Sequence, residues 1–123
     1  SAPVYGELAY GEIGVGAWLN DLPIAVSRID NLESAALSTG NLKTLATGPR
    51  WPAVGRMIGR LSRIRGYGDF LHYHLLASGR IDAVVESDVN ILDVGACAAH
   101  FRPYPTRMEA HADHPLRAEF EAR

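Results

Sequence analysis

One run of residues constrains this chain more than any other. Gly79-Arg80-Ile81-Asp82 leads into Ala83-Val84-Val85-Glu86, and Ser87-Asp88-Val89-Asn90-Ile91-Leu92-Asp93-Val94-Gly95-Ala96 follows. A glycine turn feeds a short β-branched strand that ends in a carboxylate, Glu86. Asp93 then opens an alanine-rich segment that reads as a helix, Leu92 to His100. A strand end and a helix start can converge on one bound group, because a helix N-terminus presents free N–H groups and a favourable dipole. A carboxylate in that place is also suited to a hard cation. The bland reading is two solvated or cap-like acids, since Asp93 alone would be a good N-cap.

The same residues carry a resemblance. Gly79-Arg80-Ile81-Asp82, Glu86 and Leu92-Asp93-Val94-Gly95-Ala96 resemble the C-terminal half of the inositol monophosphatase superfamily. There the pattern is glycine, arginine, any residue, aspartate, a strand, glutamate, a loop, then Trp-Asp-x-Ala-Ala. Upstream, Gly14-Val15-Gly16-Ala17-Trp18-Leu19-Asn20-Asp21-Leu22-Pro23-Ile24 is similar to the family's Gly-x-Gly-Ala-x-x-Asn-Gly-x-Pro-Ile hairpin. Arg65-Gly66-Tyr67-Gly68-Asp69-Phe70 resembles the Arg-x-x-Gly-Asp form of the histidinol-phosphate phosphatase branch. The matches run from Val4 to Ala99. They imply an α/β fold, a mixed β-sheet covered by helices, in residues 1–99, with a divergent tail over 100–123. They also imply a magnesium-dependent phosphate monoester hydrolase, with Asp93 as a metal ligand, Glu86 as a contact to a substrate hydroxyl, and Gly68 and Asp69 beside the substrate.

The family's first half carries most of its metal ligands, including an Asp-Pro-x-Asp-Gly-Thr loop, and no such loop occurs in this sequence. No residue here is therefore assigned a catalytic role. Magnesium is expected only if the missing ligands are supplied, and the chain alone is expected to be inactive. The expected partners are a phosphorylated small molecule, and a second copy or the absent N-terminal half. The alternative is a non-catalytic, stand-alone domain that self-associates.

Composition fits one soluble globule of 123 residues, with 47% apolar and 21% charged residues. A net charge of -2 gives no electrostatic case for nucleic acid or an anionic membrane. No apolar run is long enough to span a bilayer, and no signal-peptide pattern opens the chain, so a cytoplasmic location is expected. The single cysteine, Cys97, excludes an internal disulfide and suits a reducing compartment.

Local signals place the remaining elements. Asn20-Asp21 reads as a hairpin turn, because both residue types tolerate positive φ. Pro23 restricts its strand to an edge. Glu33 to Thr39 and Arg63 to Arg65 are read as strands. Val54, Met57, Ile58 and Leu61 lie at helical spacing, and Arg50, Arg56 and Arg60 fall mainly off that stripe, as a solvated face or, for Arg50 or Arg56, an anion contact. Asp69 is read as the N-cap of a helix over 70–78, with Gly79 as its C′ residue. Phe70, Tyr73, His74 and Ala77 share one helical face, and His72 falls mainly on another. Val84-Val85 suits a strand buried on both faces. Asp82 is expected to cap or pair at the strand start, and Arg65 to pair with Asp69 or Glu86.

Other chemistry is weaker. His72 and His74 cannot share a helical face, and His111 and His114 sit in a polar tail beside Pro115. Ser38-Thr39-Gly40 is no nucleophile elbow, and Gly11 to Gly16 is no dinucleotide fingerprint.

Overall fold

A computed structural model of the chain describes residues 1–12 and 15–90. Asp93, Cys97, the helix expected over 92–100 and the tail over 100–123 lie outside the described residues. An antiparallel sheet comes first, in the order β1-β2-β3, from β1 (Ala9–Glu12), β2 (Gly16–Leu19) and β3 (Leu22–Pro23). Asn20 and Asp21 turn the chain with φ of 47° and 65°, the two positive values a tight hairpin demands. Asn20 also clamps what precedes the sheet. Its side chain donates to the Gly6 carbonyl and accepts from the Leu8 N–H, both at 2.9 Å. Pro23 lies on the edge strand, where a missing N–H leaves no ladder bond unmade.

The second sheet is parallel, in the order β5-β4-β6, from β4 (Ala36–Thr39), β5 (Arg63–Arg65) and β6 (Ala83–Val85). Helices α1 (Leu42–Thr47) and α2 (Trp51–Ile58) connect β4 to β5, and α3 (Asp69–Ala77) connects β5 to β6. The fold is thus α/β, with its antiparallel and parallel pairings divided between two sheets. The strand buried deepest is β4, whose Leu37 and Ser38 are both buried, while β6 is half-buried at the sheet edge. The apolar run of β6 pointed to the wrong member of the sheet. Position between two partners buries a strand more effectively than its own hydropathy does. As expected, Asp82 pins the start of β6 to β4. Its N–H donates to the Ala36 carbonyl at 2.8 Å, and its carboxylate accepts from the Ala36 N–H at 2.6 Å.

Helix α3 starts one residue earlier than its sequence indicates. Gly68, not Asp69, is the N-cap, with φ 64° and ψ 172° and no capping side chain. Only glycine adopts that backbone without strain, and this sets the helix start. The other end follows the sequence. Gly79 has φ 69°, its N–H donates to the Leu76 carbonyl, and the Arg80 N–H donates to that of Leu75, as in a Schellman motif. The two sheets are joined beside this cap. A Cβ on Gly79 would lie 2.8 Å from the Ala25 carbonyl oxygen. Arg80 makes two 3.0 Å bonds to the Glu7 carboxylate.

Along α2, Val54, Met57 and Ile58 are half-buried and Arg50 and Arg56 exposed, the predicted division. Arg60 pairs with Glu33 on the surface at 2.8 Å. No helix of the described residues is long and apolar enough to cross a membrane.

Candidate functional site

Because β4, β5 and β6 are parallel, the segments that follow them emerge at one edge of the sheet. These are Gly40-Asn41 after β4, Gly66-Tyr67-Gly68 after β5, and Glu86-Ser87-Asp88 after β6. The carboxyl edge of a parallel α/β sheet is where ligands bind, because helix N-termini and irregular backbone meet there. The loops after β4 and β6 are tied together, since the Asn41 side chain donates to the Ser87 carbonyl. Asn41 and Asp88 both hold positive φ, at 48° and 60°.

Glu86 is not a solvated acid. Its side chain is 12% exposed, and its Oε2 accepts from the Tyr73 hydroxyl at 2.6 Å and lies 2.9 Å from His72 Nε2. Its Oε1 faces Gly40, where a Cβ would lie 2.7 Å from the Glu86 carboxyl carbon. The glycine after β4 is therefore what leaves room for the carboxylate. On the far side of the imidazole, His72 Nδ1 stands 3.3 Å from Ser38 Oγ, which also accepts from the Tyr67 N–H at 3.2 Å. Tyr67 immediately precedes Gly68. One polar chain thus joins the loops after β5 and β6 through the middle of the sheet.

Glu86 and Gly68 sit on loops at one sheet edge. Asp69 contributes the first residue of α3. Asp93 lies outside the described residues. The expected pairing of Arg65 with Glu86 is not formed. Arg65 donates to the Ile64 carbonyl at 2.7 Å, and Glu86 is held from below by α3 instead. His72, read as lying mainly on a different helical face from Phe70, Tyr73, His74 and Ala77, is fully buried, His74 and Ala77 are buried too, and Phe70 is half-exposed. Positions 72, 74 and 77 of α3 are all buried, so the helix is covered on more than one face. The polar character of His72 and Ser38 hid this, because a hydrophobic-face argument ranks such residues outside.

A second polar cluster lies at the other end of α3. His74 is buried, and its Nε2 stands 3.0 Å from Glu7 Oε2, an electrostatic contact without hydrogen-bond alignment. Burial holds the His74 imidazole below its ordinary pKa, opposed by the charge of Glu7. The guanidinium of Arg80 holds the Glu7 carboxyl below the usual carboxylate value. This cluster joins the two sheets and stands away from the carboxyl edge.

Among the described residues, no group of three or more His, Cys, Asp or Glu side chains could hold a metal ion. The described residues do not by themselves complete a magnesium site.

No family model matches the chain. Curated relatives and solved structures do. The histidinol-phosphatase of Mycobacterium tuberculosis is 38% identical over 74 residues, which are 59% of this chain and 28% of that protein. The histidinol-phosphatase of Chlorobaculum parvum is 31% identical over 97 residues, 79% of this chain and 36% of that protein. Among solved structures, the extragenic suppressor protein suhB of Bartonella henselae superposes with a TM-score of 0.74 at 29% identity, over 82% of this chain and 40% of that one. An inositol monophosphatase of Anabaena gives 0.71 at 25% identity, over 82% and 41%. A Thermotoga maritima IMPase gives 0.66 at 31% identity, over 80% and 38%. The chain spans well under half the length of each of these proteins, and the matched portion is their C-terminal part. By sequence and by fold, the chain belongs with the C-terminal part of the inositol monophosphatase superfamily.

Proposed function

We propose that this chain supplies the substrate-recognising side of a phosphate monoester hydrolase of the histidinol phosphate or inositol phosphate type. The observation that carries this reading is the Glu86 carboxylate. It is fixed at the carboxyl edge of the parallel sheet, with Oε2 held by His72 and Tyr73 and Oε1 against Gly40. A carboxylate held this way accepts a hydrogen bond from a hydroxyl or ammonium group of a ligand, the kind of group both ester classes carry. Gly68 brings backbone close to the same edge, and Asp69 opens the helix whose N-terminus favours an anion. Asp93 is the carboxylate proposed to hold magnesium, together with ligands from outside these 123 residues. Magnesium wants near-octahedral oxygen coordination, which one aspartate does not complete. When bound, it would stabilise charge on the transferring phosphoryl group.

Two measurements on the same protein test this. Histidinol phosphate or inositol phosphate titrated into labelled chain should shift the amide resonances of Gly40, Gly68 and Glu86, and Glu86→Ala should abolish those shifts. Shifts confined to other regions, or none, would overturn the reading. Phosphate release by the isolated chain at millimolar magnesium is expected to be negligible. Turnover that disappears in Asp93→Asn would overturn the need for ligands from outside these 123 residues.

A second reading has its own support. Val4, Tyr5, Leu8, Val15 and Leu22 are exposed apolar residues of the N-terminal region. A non-catalytic domain that self-associates through this surface accounts for them without any hydrolysis.

A further inference from the structure

We propose that His72 is a positioning residue that fixes the conformer of Glu86 and couples it to the loop ahead of Gly68. The proposal rests on the reading of Glu86 as a ligand contact and deepens it. The largest side chains buried completely in the described structure are not hydrophobic. They are His72 and Ser38, both at 0% exposure. Burying an imidazole and a hydroxyl is unfavourable unless each finds partners. Here each does.

The direction follows from the chemistry of the two ends. A carboxylate oxygen accepts, so we place a proton on the His72 Nε2 that lies 2.9 Å from Oε2. In that tautomer Nδ1 is an acceptor. Ser38 Oγ already accepts from the Tyr67 N–H, so its own proton is free to go to Nδ1. The sequence of donations runs from the Tyr67 backbone to Ser38, to His72, to Glu86. Tyr73 adds a second donor to the same carboxylate oxygen. With both donors on Oε2, Oε1 is the oxygen directed at the carboxyl edge and Gly40. The ring does not meet a ligand itself. It decides which oxygen of Glu86 does, and it makes that choice depend on the backbone at Tyr67.

The experiment uses the full chain with labelled histidine and glutamate. Long-range proton–nitrogen correlation in the unmutated protein should show His72 protonated at Nε2 and bare at Nδ1. A ring protonated at Nδ1 alone would overturn the proposal. His72→Gln restores an N–H donor to Glu86, whereas His72→Phe keeps the volume and removes both bonds. With histidinol phosphate as probe, His72→Phe should weaken binding about tenfold or more, and His72→Gln by no more than about threefold, as expected for losing or keeping one bond to a charged group. The Glu86 carboxyl carbon resonance should move in His72→Phe even without ligand. A folded His72→Phe protein in which that resonance stays in place refutes the positioning role. If His72→Phe does not fold, Tyr73→Phe, which removes the other donor to Oε2, is judged by the same resonance. An unmutated chain that binds neither ester overturns the functional reading alone, because the tautomer and the carboxyl resonance judge the positioning without a ligand.

Discussion

Gly40 and Gly68 are glycines for different reasons, and their substitution should fail in different ways. At Gly40 the backbone is ordinary and the space is taken by the Glu86 carboxyl group. Gly40→Ala is therefore expected to push that carboxylate off its donors while the sheet survives. Ligand-induced shifts at Glu86 should vanish and the melting temperature should fall only modestly. Unchanged shifts would count against Glu86 as the contact. At Gly68 nothing lies within 4 Å of a Cβ, but φ 64° with ψ 172° is closed to other residues. Gly68→Ala should thus lower unfolding stability by about 1–3 kcal/mol, read by denaturant titration. Protonation belongs to the same scale. The pKa of His74 is lowered from 6.5 in the folded state, so the unfolded chain binds its proton more readily, and the folded state weakens as pH falls below 6.5. The pKa of Glu7 is lowered from 4.5 by Arg80, so its contribution is full above 4.5 and lost on further acidification. Both act in one direction. Stability should decline in two stages, the first below pH 6.5 and the second below pH 4.5, and His74→Gln should remove the first. A profile flat down to pH 5 would contradict the burial assigned to His74.

Between elements, a few side chains hold the parallel sheet in register. Asp82 both donates to and accepts from Ala36, so one residue sets the alignment of β6 on β4. Asp82→Ala leaves the Ala36 N–H without that acceptor. The expected loss is about 1–3 kcal/mol, the cost of an unsatisfied part-buried donor. Hydrogen exchange should quicken along β4 and β6 before it does in β1 to β3. Uniform quickening would mean the two sheets unfold as one. The helix ends show how much of this scale is local. Gly79 and the Asn20-Asp21 turn lie where the sequence put them, because positive φ is demanded by neighbours in the chain. The N-cap of α3 falls on Gly68 rather than Asp69, because the helix entry needs a backbone that only glycine provides.

Across the described residues, apolar surface is unevenly covered. Val4 is 91% exposed and Leu22 70%, and Tyr5, Leu8 and Val15 are each more than half exposed. A contiguous apolar patch of several hundred Å² usually finds a partner. The chain is therefore expected to form a dimer or higher oligomer at micromolar concentration through its N-terminal sheet. Sedimentation of Leu22→Glu should shift toward monomer. A monomeric parent chain whose β1 and β2 exchange slowly would rule this surface out as an interface.

Read alone, the sequence determined the turns, the helical stripe of α2, the strand and carboxylate of the Gly79 to Glu86 run, and the family they resemble. Each is set by residues close together in the chain, through φ preference, periodicity or an ordered motif. Tertiary structure alone decided the partners. Ser38 and His72 are 34 residues apart, His72 and Glu86 are 14 apart, and Arg80 meets Glu7 across 73. Nothing local selects such pairs. The order β5-β4-β6 stacks Ser38 beneath α3, and the same crossover carries Glu86 to the far side of β4, so the strand order chooses which polar groups share the buried space. In that space an unpartnered polar atom is costly, so each group that strand order brings there settles on the partner within reach.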